Sequence, residues 1–283
     1  MKLIQPVMKS LIAGGIALAM VATLAAQTAE QGLVKVVNIH GSARYFVSGD
    51  SNPHPLKIGA ILKPGTVIQT AADSYVDVVL NNANANSSSI SSASSSPALM
   101  SASSGGSGHN HPKVEQDAIR IFENSVLGFD KLTVTQTGAD RVTETQLDLK
   151  HGRIFGTVRK LSAASKYEIK IPTGVAGIRG TIYLLSADGE LEVLSSLSDM
   201  SKGVPSGSVV LAYFGADGNV ITQVVGDGQS FNTHSGQLAP IPQSILQNML
   251  QWAGALGFAP GGFFVEFTPD RTVYLVSPTF ANN

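Results

Sequence analysis

KYEIKIPTGVAGIRGTIYLL, from Lys166 to Leu185, is the stretch on which the reading of the fold turns. Tyr167, Ile169 and Ile171 alternate with charged residues, which puts them on one face of a half-buried strand. Pro172-Thr173-Gly174 breaks that strand. A second strand is then entered through Arg179, which has Gly177 and Gly180 close on either side and Thr181 after it. Short strands joined through Gly and Pro, with no helical repeat, predict an all-β fold.

Working outward, the same grammar continues. Leu147 and Leu149 alternate with Asp148 and Lys150 in a strand over 143–149, a shorter strand covers 131–135, and His151-Gly152 turns the chain into another at 153–158. Tyr75 to Leu80 places Val76, Val78 and Leu80 inward against Tyr75, Asp77 and Val79, with Ala118 to Phe122 as its partner. Strands are also expected at 33–39 and 44–47. Asp50 to Pro55 (DSNPHP) is read as a turn, because two prolines fix φ and Asn and Asp tolerate bends. Leu56 to Thr70 carries Gly and Pro too densely for a helix and reads as corners between very short strands. Downstream, 190–194 is a strand, 195–207 a Ser-rich loop, and SVVLAYF (208–214) pairs with VITQVV (220–225) across Ala216-Asp217-Gly218-Asn219. Gly226-Asp227-Gly228-Gln229 closes that unit. One helix is expected, over 241–256, where Ile245, Leu246, Met249, Leu250 and Ala253 fall at helical spacing. Its apolar face should cover an open end or face of the β domain. A hairpin about Pro269-Asp270 follows it.

The first 26 residues read as a cleavable signal peptide: Lys2 and Lys9, an apolar run from Leu11 to Leu24, then Ala25 and Ala26. Cleavage after Ala26 or Ala25 fits, and removing the two lysines takes the net charge from −1 to −3. Neither value favours a polyanion, so nucleic acid is excluded as a partner class. The 283 residues contain no cysteine, which removes a lipid anchor, disulfides and thiol chemistry. The expected product is periplasmic or secreted, with no stable membrane anchor once the signal is cut. Residues 81–112, rich in Ser, Asn, Ala and Gly, form a low-complexity insertion. The chain therefore divides into the signal (1–26), a β domain with that insertion (32–231) and a helix-plus-hairpin extension (232–283).

Several of these segments, in order, resemble the FecR domain of bacterial cell-envelope proteins. They are Leu56 to Thr70, IRIFENSVL (119–127), LDLKHGRIFGTV (147–158), IPTGVAGIRGTIYLL (171–185), and Ser206 through Phe231. The resemblance implies a β-rich, solenoid-like or sandwich-like domain, no catalysis, and a role in envelope sensing or as a secreted interaction module. In regulators of that family the domain is periplasmic, tethered to a cytoplasmic anti-sigma segment, and receives a signal from an outer-membrane transporter. Here a cleavable signal stands where the tether would be, so the domain is expected without the transcriptional role.

Gly177, Arg179, Gly180 and Thr181 are the signature residues of that resemblance. Arg179 reads in two ways: a guanidinium offered to a partner's carboxylate or carbonyls, or a tie between loops of its own fold. The internal reading is preferred, with the glycines allowing close backbone approach. His109 and His111, with His54 or His151, lack a fixed third ligand, so no metal and no cofactor is expected. No nucleophile motif or acid–base pair stands out, and the chain is read as a non-catalytic module for a protein or surface polymer of the envelope. The competing reading is an exported hydrolase or carbohydrate-active enzyme on a β scaffold.

Overall fold

The computed structural model describes residues 29–81, 117–137, 140–195 and 207–258. The stretches read as a signal peptide, as a low-complexity tract beyond Asn81 and as a hairpin about Pro269, and most of the Ser-rich stretch 195–207, lie outside the described residues. What is described is all-β with one helix, arranged as two sheets packed face to face.

Strands are numbered in chain order. The first sheet runs β17 (Val220–Gly226), β16 (Ser208–Phe214), β13 (Gly174–Arg179), β12 (Lys166–Ile171), β10 (Asp140–His151), β9 (Val126–Thr137), β6 (Thr66–Thr70), β3 (Ala43–Val47), β4 (Asp50–Pro55), with β1 (Glu30–Gln31) paired to β9. The second runs β19 (Gln237–Pro240), β18 (Gln229–Asn232), β15 (Glu190–Ser195), β14 (Thr181–Ser186), β11 (Arg153–Thr157), β8 (Asp117–Ile121), β7 (Tyr75–Asn81), β2 (Leu33–His40), β5 (Ile61–Leu62). The chain passes between the sheets repeatedly, so each sheet grows by one or two strands per pass. Among the described pairs only β10 and β12 run parallel.

One core fills the space between the sheets. Leu147, Leu149, Ile169, Ala176, Val209 and Leu211 of the first sheet meet Val76, Val78, Ile119, Ile121, Tyr183 and Val193 of the second, all fully buried. The inward sets of the sequence reading are found there. Gly156 is required by this packing, since a Cβ on it would lie 2.3 Å from the Tyr183 ring.

Three expectations are corrected. Asp50 to Pro55 is a strand, β4, and not a turn: it lies at the end of its sheet, where Pro53 and Pro55 need not donate to a neighbour, and Ser48-Gly49 make the turn, with Gly49 at φ +86°. The 166–185 stretch holds three strands rather than two. Pro172-Thr173 is a hairpin turn between β12 and β13, Arg179 ends β13, and the next strand begins at Thr181 in the other sheet. Gly180, at φ +71°, makes that crossing, and a Cβ there would lie 2.9 Å from the Lys160 backbone. Finally, β7 is buried on both faces, with Asp77 and Val79 at 3% and 5% exposure.

Asp77 is covered by Arg120 and Asn38 of the neighbouring strands, and a helix covers another part of the same sheet. Helix α1 (Gln243–Ala253), followed by a π-helical turn at Gly254–Phe258, packs Met249, Ala253 and Leu256 against Phe155, Ile182, Leu184 and Leu194. Trp252 lies edge-on to Phe122 and Phe155, with ring centroids 4.8 and 5.6 Å away. The expected role of the helix, covering a face of the β domain, is the one observed. Cross-strand registers place Asn38, Asp77, Arg120, Phe155, Leu184, Glu192 and Ser230 in a single row across that outer face.

Candidate interaction edge

The outer face of the first sheet has no helix over it among the described residues, and it divides in two. Its middle is charged: Lys131 pairs with Glu144 at 2.6 Å and Lys170 with Asp130 at 3.0 Å, contacts that are half exposed and contribute little to stability. Its β13–β16–β17 end is apolar. Val175, Val210, Phe214, Val220 and Val224 are 38 to 64% exposed there, and the registers put Val210 beside Val224 and Phe214 beside Val220. The alternate residues Ala176, Val209, Leu211 and Val225 are fully buried, which fixes the register of the hairpin against the core.

The β16–β17 turn is built as the Asp-Gly signal requires. Asp217 Oδ1 accepts from the Asn219 backbone N–H at 3.0 Å, Gly218 sits at φ +78°, and Gly215 N–H donates to the Asn219 carbonyl at 2.9 Å. The far end is held by Asp227, whose Oδ1 accepts from Ser195 N–H at 2.6 Å.

On its other side the main chain of β17 meets no strand among the described residues, and its Val224 carbonyl accepts from the Gln223 side-chain Nε2 at 2.7 Å. Phe214 N–H donates to Thr173 O, away from β17, so the opposed Val220 also turns its N–H and C=O away from β16. By strand alternation Thr222 and Val224 do the same. Among the described residues no strand pairs with that side.

The other three sheet ends differ in kind. β4 carries Asp50, Pro53 and Pro55, β19 has four residues and ends at Pro240, and β5 has two. Prolines, charges and short length are the usual protections of an edge. β17 has seven residues, no charge and no proline.

Arg179 lies in the next row of the same outer face, opposite Ser208, which is in turn opposite Gly226. It is exposed, and its guanidinium has no hydrogen-bond or ion-pair partner among the described residues. Gly177 sits between it and Val175 on that face. Thr181 is fully buried, its hydroxyl donating to the Leu194 carbonyl.

Several ionisable groups elsewhere are buried. Arg120 makes two bonds to Asp77, at 2.7 and 2.8 Å, lies 4.3 Å from the Tyr75 ring centre, and has its proton held more tightly by Asp77 despite burial. Glu192, 2% exposed on the face that α1 covers, is pushed by burial, and by Glu190, up to about 7. The Tyr167 and Tyr183 hydroxyls, 3.4 Å apart in the core, are raised by burial. His54 bonds Asp50 at 2.9 Å and stacks on Tyr45, and His151 is exposed at the end of β10. His109 and His111 lie outside the described residues, and among the described residues no three His, Asp or Glu side chains are grouped to hold a metal.

The open edge and the sealed row under α1 carry no signal in the sequence. VITQVV announces a hairpin strand, but its place at the end of a sheet depends on which strands the rest of the chain brings beside it.

Residues 114–196, which span β8 to β15 and include Gly177 to Thr181, match the protein family described as FecR protein. No curated protein and no solved structure matches the chain.

Proposed function

We propose that this chain, whose residues 114–196 match the FecR protein family, is a non-catalytic exported module of the cell envelope that takes a protein partner by main-chain pairing along β17. The observation that carries this reading is the uncharged edge of β17, which no strand among the described residues covers, continuous with the apolar stripe of Val175, Val210, Phe214 and Val224. Strand addition draws its affinity from main-chain hydrogen bonds and its selectivity from alternate side chains. The partner this edge fits is an extended, β-branched, uncharged strand, with Arg179 available to a carboxylate beyond its end. The role within the envelope is reception of a signal or attachment, with the β sandwich as a rigid mount.

Pull-down from envelope extracts with the exported chain tests this reading. The recovered protein should be lost with V224K, which puts a charge on the outer face of β17, and retained with K170A on the charged part of the same face. Recovery of nothing beyond controls across several growth conditions, or loss with both variants alike, refutes it. Among the described residues no helix is long and apolar enough to cross a membrane.

A further inference from the structure

We infer that the strand received by β17 is β17 of a second copy, in an antiparallel, two-fold pairing centred on Thr222. This rests on the reading of β17 as the interaction edge and names its occupant. The sequence of β17, VITQVVG, is self-complementary in that register. Thr222 faces Thr222 of the second copy across the axis, and Val220 faces Val224 of the second copy on either side. Each is a β-branched pair of the kind that stabilises adjacent strands.

The backbone agrees with the side chains. Val220, Thr222 and Val224 are the residues whose N–H and C=O point outward, and the two-fold brings these same residues opposite one another as hydrogen-bonded pairs. The Val224 carbonyl, which the Gln223 side-chain Nε2 caps at 2.7 Å, is released to its new partner, and the outward groups of all three residues are then satisfied. The outer faces join into one apolar stripe, from Val175 and Val210 across both β17 strands to the same residues of the second copy.

Charge is kept to the ends of the contact. β13 within the stripe, β16 and β17 contribute no charged residue between Gly174 and Ile178 or along 208–226 except Asp217 in the turn, and like charges meet only at the two ends of the register, where Asp217 of one copy comes opposite Asp227 of the other. An isologous contact of this kind closes on itself and leaves no open edge at that end of the sheet. The protected ends at β4, β5 and β19 then stop further growth, so the assembly is a dimer and not a filament.

The register gives the test its resolution. Sedimentation of the purified exported chain should show twice the monomer mass at micromolar concentration. T222P, which removes an outward N–H that no strand of its own sheet uses, should abolish the dimer while leaving the circular dichroism and melting temperature of the fold close to wild type. V220K/V224K, which places like charges opposite each other twice, should be monomeric. V220K/V224E places opposite charges at the same two contacts and should restore the dimer. The chain has no cysteine, so T222C supplies a single thiol at the axis, and its oxidation should give a covalent dimer that N219C does not.

Three results would overturn the inference. They are a monomer at every concentration up to about 100 µM, well above the micromolar range of ordinary interfaces, equal behaviour of the K/K and K/E variants, or equal cross-linking of T222C and N219C. If the chain is monomeric yet V224K still loses a partner from envelope extracts, the self-pairing fails and the broader reading of β17 stands. If it is monomeric and no partner depends on β17, both fail.

Discussion

Glu192→Gln isolates the energetics of the sealed row beneath α1. The Glu192 carboxyl is 2% exposed and is raised from an ordinary 4.5 to about 7, first by burial and then by Glu190. Ser230 Oγ donates to it at 3.4 Å and Arg153 lowers it only in part. Nothing on the covering helix compensates, because Gln243 to Ala253 contains no charged residue. The folded state therefore holds this proton more tightly than the unfolded chain. Above pH 7 the carboxylate is ionised in both states and the folded state carries the full penalty. As pH falls from 7 toward 4.5 the folded state takes up the proton first and gains stability, reaching a plateau below the unfolded value.

At 1.36 kcal/mol for each unit, the gain has a ceiling of about 3 kcal/mol. Glu192→Gln keeps the shape and an acceptor for Ser230 without the charge. It should be more stable than wild type at pH 8 by up to about 3 kcal/mol, and the two should converge near pH 4.5. Urea unfolding followed by tryptophan fluorescence reads this well, since Trp252 sits on Phe122 and Phe155 in the same layer. A wild-type minus variant difference that is flat between pH 4.5 and 8 would refute the reasoning.

The ion pair at the other end of the row should behave in the opposite manner. Asp77→Ala leaves Arg120 charged and buried and is expected to cost about 3–5 kcal/mol in urea unfolding, whereas D77A/R120M, which removes both charges, should recover most of it. Gly180→Ala forces a side chain into positive φ and against the Lys160 backbone, so it should lower stability by about 2 kcal/mol or more, measured by thermal melting. A neutral Gly180→Ala would mean the crossing between sheets is made differently.

Much of the sandwich is legible in the sequence because its strands are short, alternate strictly and are separated by Gly or Pro. Period alone turns Val76, Val78, Ile119 and Ile121 inward, and the matching alternation of 75–80 and 118–122 is enough to pair them across the long insertion. The residues that mislead are those whose local chemistry is overruled by position. Pro53 and Pro55 suit a turn in isolation but are equally tolerated at a sheet's last strand. Gly180 looks like the entry to one strand because sequence does not say that the chain leaves one sheet and joins the other there. Strands β18 and β19 escape a reading by alternation because each is only four residues long. The open edge is illegible for a different reason: being last in a sheet is a relation among ten strands, not a property of VITQVV.

The parallel pair, β10 with β12, has a consequence for how the molecule assembles. Hairpins such as β9–β10, β12–β13 and β16–β17 join neighbours in sequence and can form early and locally. β10 and β12 cannot meet until the chain between them has gone out to place β11 in the opposite sheet and come back. The slow step in refolding should therefore be the docking of β12 onto β10, which seals the two halves of the sandwich together, and a destabilising change at Leu147 or Ile169 should slow folding more than the same change within a hairpin.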